Sequence, residues 1–186
     1  AVRPAAQPLR LADLAAAAEL EGARFYLEHG SLPEVSPGLA DLVPGPPEIA
    51  GDLHLQTANL WASLGGGTVS RLHSDDHENI LAQVHGTKEI ILWPPEDRPH
   101  LHYEKKPGIH LEFRCCPASF KRRRYAREQR ANIGGVDFRQ PERFPELNRT
   151  SPLFCRLAPG DALVLPALWS HVVVSHPGDS AACELC

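Results

Sequence analysis

Apolar and polar positions change rhythm along this chain. Residues 9–20, LRLADLAAAAEL, repeat apolar side chains at helical spacing and are rich in Ala and Leu, which predicts a short helix. ARFYLEHG (23–30) then reads as a strand. Residues 31–50 are rich in proline and predict a loop with one helical turn around Leu39–Leu42. From residue 55 the rhythm is β. LQTANLWASL (55–64) alternates as a strand, closed by Gly65-Gly66-Gly67, and Thr68–Leu72 predicts a second, shorter one. Two apolar runs, Asn79–Val84 and Lys88–Trp93, flank His85-Gly86-Thr87 and predict a hairpin, stopped by Pro94-Pro95. The rhythm is weakest over 104–150, where FKRRRYAREQR (120–130) has helical propensity and a basic run. It returns in PLFCRL, APGDALVLP and HVVVSH, with turn chemistry at Pro159-Gly160-Asp161. Many short strands between Gly and Pro turns predict a sandwich or barrel with helices packed outside.

Composition narrows the class without naming a function. The chain has 186 residues, 42% of them hydrophobic and 23% charged, which suits one globular domain. A net charge of −4 gives no support to broad nucleic-acid or anionic-membrane binding. No apolar run approaches the roughly 20 residues a membrane helix needs. The N-terminus carries Arg10 and Asp13 where a signal peptide is apolar. Five cysteines, an odd number without scaffold spacing, point to a reducing compartment, cytoplasm or nucleus.

RLHSDDHEN (71–79) carries the candidate chemistry. His73 and Asp75 are two apart, so on a strand both side chains reach one face. A third ligand must come from elsewhere, and His171, at the head of a buried apolar run, is the candidate. Two histidines and one carboxylate with open positions form the facial triad of non-haem Fe(II) oxygenases, which leaves room for 2-oxoglutarate and O₂. Lys88 sits on an apolar strand, where lysine needs an anionic partner, and is placed to pair with a distal carboxylate. Ser70 offers a hydroxyl to the same carboxylate and Asn79 a supporting amide.

HSD at 73–75, Asn79, GTKEIILWPP at 86–95 and PGDALVLPALWSH at 159–171 resemble the jumonji-C oxygenases. The resemblance runs from about Phe25 to Val174, with a gap over 105–140. It implies a double-stranded β-helix of the jelly-roll, cupin-like type with flanking helices. It also implies an Fe(II)- and 2-oxoglutarate-dependent dioxygenase that hydroxylates a protein or peptide side chain, with lysine one candidate target and N-demethylation the alternative outcome. His73, Asp75 and His171 would bind iron and Lys88 the distal carboxylate of 2-oxoglutarate, with Ser70 in the place of the family's threonine. Tyr26, in RFYLEHG, matches an aromatic hydroxyl of the family.

The pattern also departs from that family. After His171 a further core strand is expected, and PGDSAACELC offers no β run of adequate length. The expectation is therefore one domain, 1–186, cut short at both ends, with its core at 22–175. Its barrel edge would be open and its stability marginal, and helices that build a homodimer in the family would be missing. The rival readings are a truncated, non-catalytic binding module and a cupin-type metal protein without 2-oxoglutarate, against which Lys88 argues. His77, His85, His100, His102 and His110 read as surface or loop residues. Trp61, Trp93 and Trp169 read as core packing, with Trp169, two residues before His171, also placed to wall the metal pocket; Asn59 would line the same pocket if its strand points inward. Cys183 and Cys186 form a lone CxxC with no second pair to close a zinc site.

Overall fold

The computed structural model describes residues 2–3, 10, 12–13, 16, 25–43, 45, 47–103, 109–114, 119–124, 132–176 and 180–185. Among the described residues there are thirteen strands. They are β1 (Val2–Arg3), β2 (Phe25–Ser31), β3 (Ala58–Leu64), β4 (Thr68–Val69), β5 (His73–Ser74), β6 (Asn79–His85) and β7 (Lys88–Trp93). Then come β8 (Ile109–Arg114), β9 (Ser119–Arg124), β10 (Leu153–Leu157), β11 (Ala162–Leu165), β12 (Ser170–Ser175) and β13 (Ser180–Leu185). One sheet runs β10-β7-β12-β4, with β5 also on β12, and the second runs β11-β6-β13-β3-β2. β1, β8 and β9 form a separate small sheet.

From β10 onward each strand switches sheet, β10 and β12 in one, β11 and β13 in the other. This winding of one chain between two facing sheets is the double-stranded β-helix, a jelly roll. The sheets meet through one core cluster: Leu81, Leu165 and Ala182 from one, Ile90, Leu92 and Leu157 from the other. Alternation explains the choice. Leu81 shares a face with Asn79 and Gln83, and Ile90 with Lys88 and Leu92, in strands whose burial alternates. The outer face of the β7–β12 sheet is buried by a second cluster of Leu72, Trp93, Leu101 and Val172.

Three expectations are overturned. The runs around His85-Gly86-Thr87 do not form a hairpin. β6 pairs with β11 and β13, whereas β7 pairs with β10 and β12. Gly86, at φ 71, turns the chain from one sheet into the other. The inward set of each run faces the other across the core, which pairing side by side would not allow. Second, the stretch read as too weak for a strand is β13, antiparallel to β3 and β6 over six and five residue pairs. The expected open edge at this position is filled, and the core extends past 175. Its alanines and serine carry little β propensity, so tertiary pairing on both sides decides the outcome. Third, Phe120–Arg124 is strand, not helix, paired with β8; the rest of that basic run lies outside the described residues.

The helix expected over 9–20 falls largely outside the described residues, as does the CxxC pairing. The strand over 23–30 and the turn near Leu39 are present, the latter as the short helices Leu32–Val35 and Pro37–Ala40.

Ala182 is 0% exposed between β3 and β6. Ala182→Asp places an uncompensated carboxylate there and is expected to cost on the order of 3 kcal/mol or more. Urea unfolding checks this; a midpoint within error of the parent would show that β13 is not a core strand.

Candidate metal centre

Two short stretches of chain bring the three sequence-predicted ligands together. β5 lies antiparallel on β12 with His73 directly opposite His171 and Ser74 opposite Ser170. The two imidazoles sit with ring centroids 4.1 Å apart and planes at 54°. Asp75 follows β5, and its carboxylate Oδ2 is 3.6 Å from His171 Nε2. One donor atom from each of the three residues fits within a 4.8 Å span. The loop before β12 holds the carboxylate's backbone in place. The Leu168 amide donates to the Asp75 carbonyl at 2.7 Å, from a residue at φ 67 that is strained for a leucine. Behind β5, Gly134 bonds to the Leu72 carbonyl at 2.9 Å, and a Cβ at that glycine would lie 2.4 Å from Leu72 Cδ2.

Each imidazole has its tautomer set by the backbone. His73 Nδ1 is 2.7 Å from the Arg71 carbonyl and His171 Nδ1 is 3.1 Å from the Trp169 carbonyl. A carbonyl only accepts, so the proton resides on Nδ1 and the Nε2 lone pair is left for a metal. Burial first, and His73 close by, pull the His171 imidazole down to about 4, so it is neutral over the physiological range. Neutral nitrogen is the state a metal needs.

Lys88 lies at the other end of the same strand pair. It is 1% exposed, opposite Ser175 on β12, and its ammonium donates to Ser175 Oγ at 2.9 Å. Among the described residues no carboxylate pairs with it, and burial pulls the ammonium down to about 8. The four-residue step from the His171 level to the Lys88 level is about 13 Å along the strands.

The other sequence candidates fall as follows. Ser70 Oγ accepts from the Val173 amide at 2.8 Å and donates toward the Arg71 carbonyl, so it staples its segment to β12, and Lys88's hydroxyl partner is Ser175 instead. Asn79 is 3% exposed and its Oδ1 has no hydrogen-bond partner among the described residues. Tyr26 is exposed, its ring 6.1 Å from that of Trp61, whose buried Nε1 also lacks a partner among the described residues. Trp93 is core and Trp169 packs against the core, as read, and Asn59 is buried. His77 and His85 are exposed, His100 and His102 half-buried, and the His110 side chain lies outside the described residues. Ser175 was missed, although it is four residues from His171 in a strand and so necessarily on the same face.

A donor set of two histidines and one carboxylate at one end of a double-stranded β-helix, with an isolated lysine further along, belongs to a definite class. The chain is a member of the cupin-like domain family, which matches residues 10–185. It is similar to the bifunctional peptidase and (3S)-lysyl hydroxylase JMJD7 of Homo sapiens, 31% identical over 150 residues, 79% of this chain and 46% of that protein. It is also similar to the lysine-specific demethylase JMJ32 of Arabidopsis thaliana, 29% identical over 133 residues, 67% of this chain and 38% of that protein. A third relative is the tRNA wybutosine-synthesizing protein 5 of Danio rerio, 28% identical over 140 residues, 71% of this chain and 36% of that protein. The chain thus spans less than half the length of these relatives.

The depressed Lys88 predicts a measurable pH effect in the ligand-free protein. An unfolded lysine titrates near 10.5 and the folded one near 8. Below pH 8 both are charged and burial costs its full amount; between 8 and 10.5 the unfolded chain holds more protons, so stability from this group rises with pH. Lys88→Met is expected to melt higher than the parent at pH 7 and to lose that rise. Thermal melts of both proteins across this window check it; parallel curves would contradict the buried, unpaired charge.

Proposed function

We propose that this domain is an Fe(II)- and 2-oxoglutarate-dependent oxygenase that hydroxylates a protein or peptide side chain, with lysine the favoured target. The observation that carries the reading is the coexistence, on and beside β12, β5 and β7, of a three-donor cluster and a buried ammonium with no carboxylate partner among the described residues. A lysine this buried normally has an anion beside it. A dicarboxylate that also binds the metal supplies that anion. The orphaned Asn79 Oδ1 and Trp61 Nε1 are the kind of buried polar atoms that a bound polar molecule satisfies.

His73, Asp75 and His171 hold the metal, and the Arg71 and Trp169 carbonyls keep the two imidazoles oriented. Lys88, steadied by Ser175, takes the distal carboxylate, and its charge is restored by that partner. Tyr26 and Asn79 complete the cofactor wall, while Ser70 holds its segment to β12 through the Val173 amide. When bound, iron and 2-oxoglutarate supply the oxidising power: O₂ is reduced as 2-oxoglutarate is decarboxylated to succinate and CO₂, and the second oxygen atom goes to the substrate C–H. The Leu81, Ile90, Leu92 and Leu165 cluster gives the inner face beside His171 and Lys88 an apolar lining.

The lysine assignment draws on the relatives named for lysyl hydroxylation and lysine demethylation. Both outcomes begin at a C–H bond and differ in which carbon faces the metal. A relative is named for tRNA modification, but a chain of net charge −4 offers little general attraction to a polyanion. Among the described residues no helix is long and apolar enough to cross a membrane; the cytoplasm or nucleus is the proposed compartment.

Succinate formed from 2-oxoglutarate with Fe(II), with and without lysine-containing peptides, is the direct test. No succinate above a metal-free control would favour the non-catalytic binding module. His73→Ala and Asp75→Ala are each expected to abolish turnover. Lys88→Ala is expected to raise the KM for 2-oxoglutarate about ten- to a hundredfold, the value of one charge-assisted bond, with metal affinity little changed. An unchanged KM would place the anchoring cation elsewhere.

A further inference from the structure

The residues between and beside the three donors point the other way, and they are bound together. Ser74 lies between His73 and Asp75, and Ser170 immediately precedes His171; the two serines face each other across β5 and β12 and are 2% and 0% exposed. Strand alternation turns them to the face opposite the donors. Arg98 Nη1 donates to Ser74 Oγ at 2.9 Å, and Tyr103 Oη donates to Ser170 Oγ at 2.9 Å. The Arg98 guanidinium carbon stacks 3.8 Å from the centre of the Tyr103 ring, which joins the two arms into one bracket.

Resting on the function proposed above, we propose that Arg98 and Tyr103 are positioning residues for the metal centre: they fix the spacing of the His73–Asp75 segment against His171 from behind. The need for such a bracket follows from the topology. β5 is only two residues long and meets β12 in two residue pairs. Further backbone ties on its outer side are the Ser74 amide to the Asn132 carbonyl and the His73–Ile133 bridge. The two-residue ladder, the Leu168 amide on the Asp75 carbonyl and the bonds between Ser70 and Val173 tie the backbones, and the bracket adds side-chain ties across the residue pair that carries the donors.

The bracket itself is anchored away from the site. Arg98 belongs to the 3-10 turn Pro95–His100. That turn is held by Asp97, whose carboxylate accepts the Ser151 amide at 2.8 Å, and by Leu101, which is 0% exposed in the outer cluster. The sequence PPEDRPHLHY (94–103) thus delivers both residues on one rigid segment.

The test uses Co(II) as a spectroscopic probe in the whole chain. Tyr103→Phe removes one hydroxyl and keeps the ring, so the fold is retained. Its expected effect is a loss of about ten- to a hundredfold in Co(II) affinity, the usual consequence of losing a group that orients metal ligands, with an altered Co(II) absorption spectrum. The KM for 2-oxoglutarate at saturating Fe(II) is expected to move far less than in Lys88→Ala, because Lys88 and Ser175 are five residue pairs from Ser170. Arg98→Lys, which keeps the charge and loses the planar fork, is expected to rescue only part of the loss seen in Arg98→Met. Ile91→Ala serves as the stability control: it weakens the same outer cluster from β7, away from the turn and from Leu101 that anchor the bracket, and its Co(II) spectrum is expected to match the parent. A parent-like Co(II) affinity and spectrum in Tyr103→Phe overturns the bracket while leaving the proposed function standing. A parent chain that binds neither Co(II) nor Fe(II) overturns both.

Discussion

The site depends on the register of β12 against β7. Over six residue pairs this ladder sets His171 beside Leu92 and Ser175 beside Lys88. A slip of one residue would send every β12 side chain to the opposite face. Hydrophobicity alone does not forbid it, since Val172, Val173 and Val174 are apolar on both faces and both faces meet apolar clusters. The polar residues at the strand's ends decide. A slip would drive His171 into the outer cluster beside Trp93 and set a valine against the buried ammonium. It would also pull Ser170 from its bond to Tyr103. The candidate metal donor His171 and the serines at either end of β12 are also the residues that fix the register, so pairing in this register brings the three candidate donors together.

What the sequence disclosed was facial, and what it hid was relational. Spacing of two put His73 and Asp75 on one side of a strand, and an apolar strand flagged Lys88 as a charge needing an explanation; both placements appear in the structure. The third ligand came from the resemblance and from its position at a strand head. Periodicity says which face a residue occupies but is silent on which strand lies next to it. Hence the runs at 79–84 and 88–93 looked like a hairpin, although each satisfies its alternation equally well in a different sheet. The same blindness hid β13. Ser180–Leu185 has weak local preference, and only a slot between β3 and β6 makes it a strand. Ser175 was accessible to the same arithmetic that found Asp75. The Arg98–Tyr103 bracket was not, because nothing local in PPEDRPHLHY indicates what lies 67 residues further on, at Ser170.

Inside the barrel, Leu81, Ile90, Leu92, Leu157 and Leu165 pack tightly, and interleaved with them along the strands Lys88, Asn79 and Trp61 Nε1 bring in a charge and polar atoms short of partners among the described residues. Each such group is costly in the free protein, by about 1–3 kcal/mol for an unsatisfied neutral one and more for a charge. A sequence selected for stability alone would place a methionine at Lys88. That the lysine is kept, on a strand otherwise filled with Ile and Leu, is a local violation of the kind that marks a functional site. The deficit also has a direction. A ligand carrying negative charge gains more here than it would against a site already satisfied by the protein, because it recovers desolvation that folding has already cost. Binding and stability are therefore linked in this region: a ligand that binds only the folded barrel stabilises it by mass action. The filled slot at β13 makes that linkage effective, since strands on both sides of β13 hold closed the sheet against which such a ligand would lie.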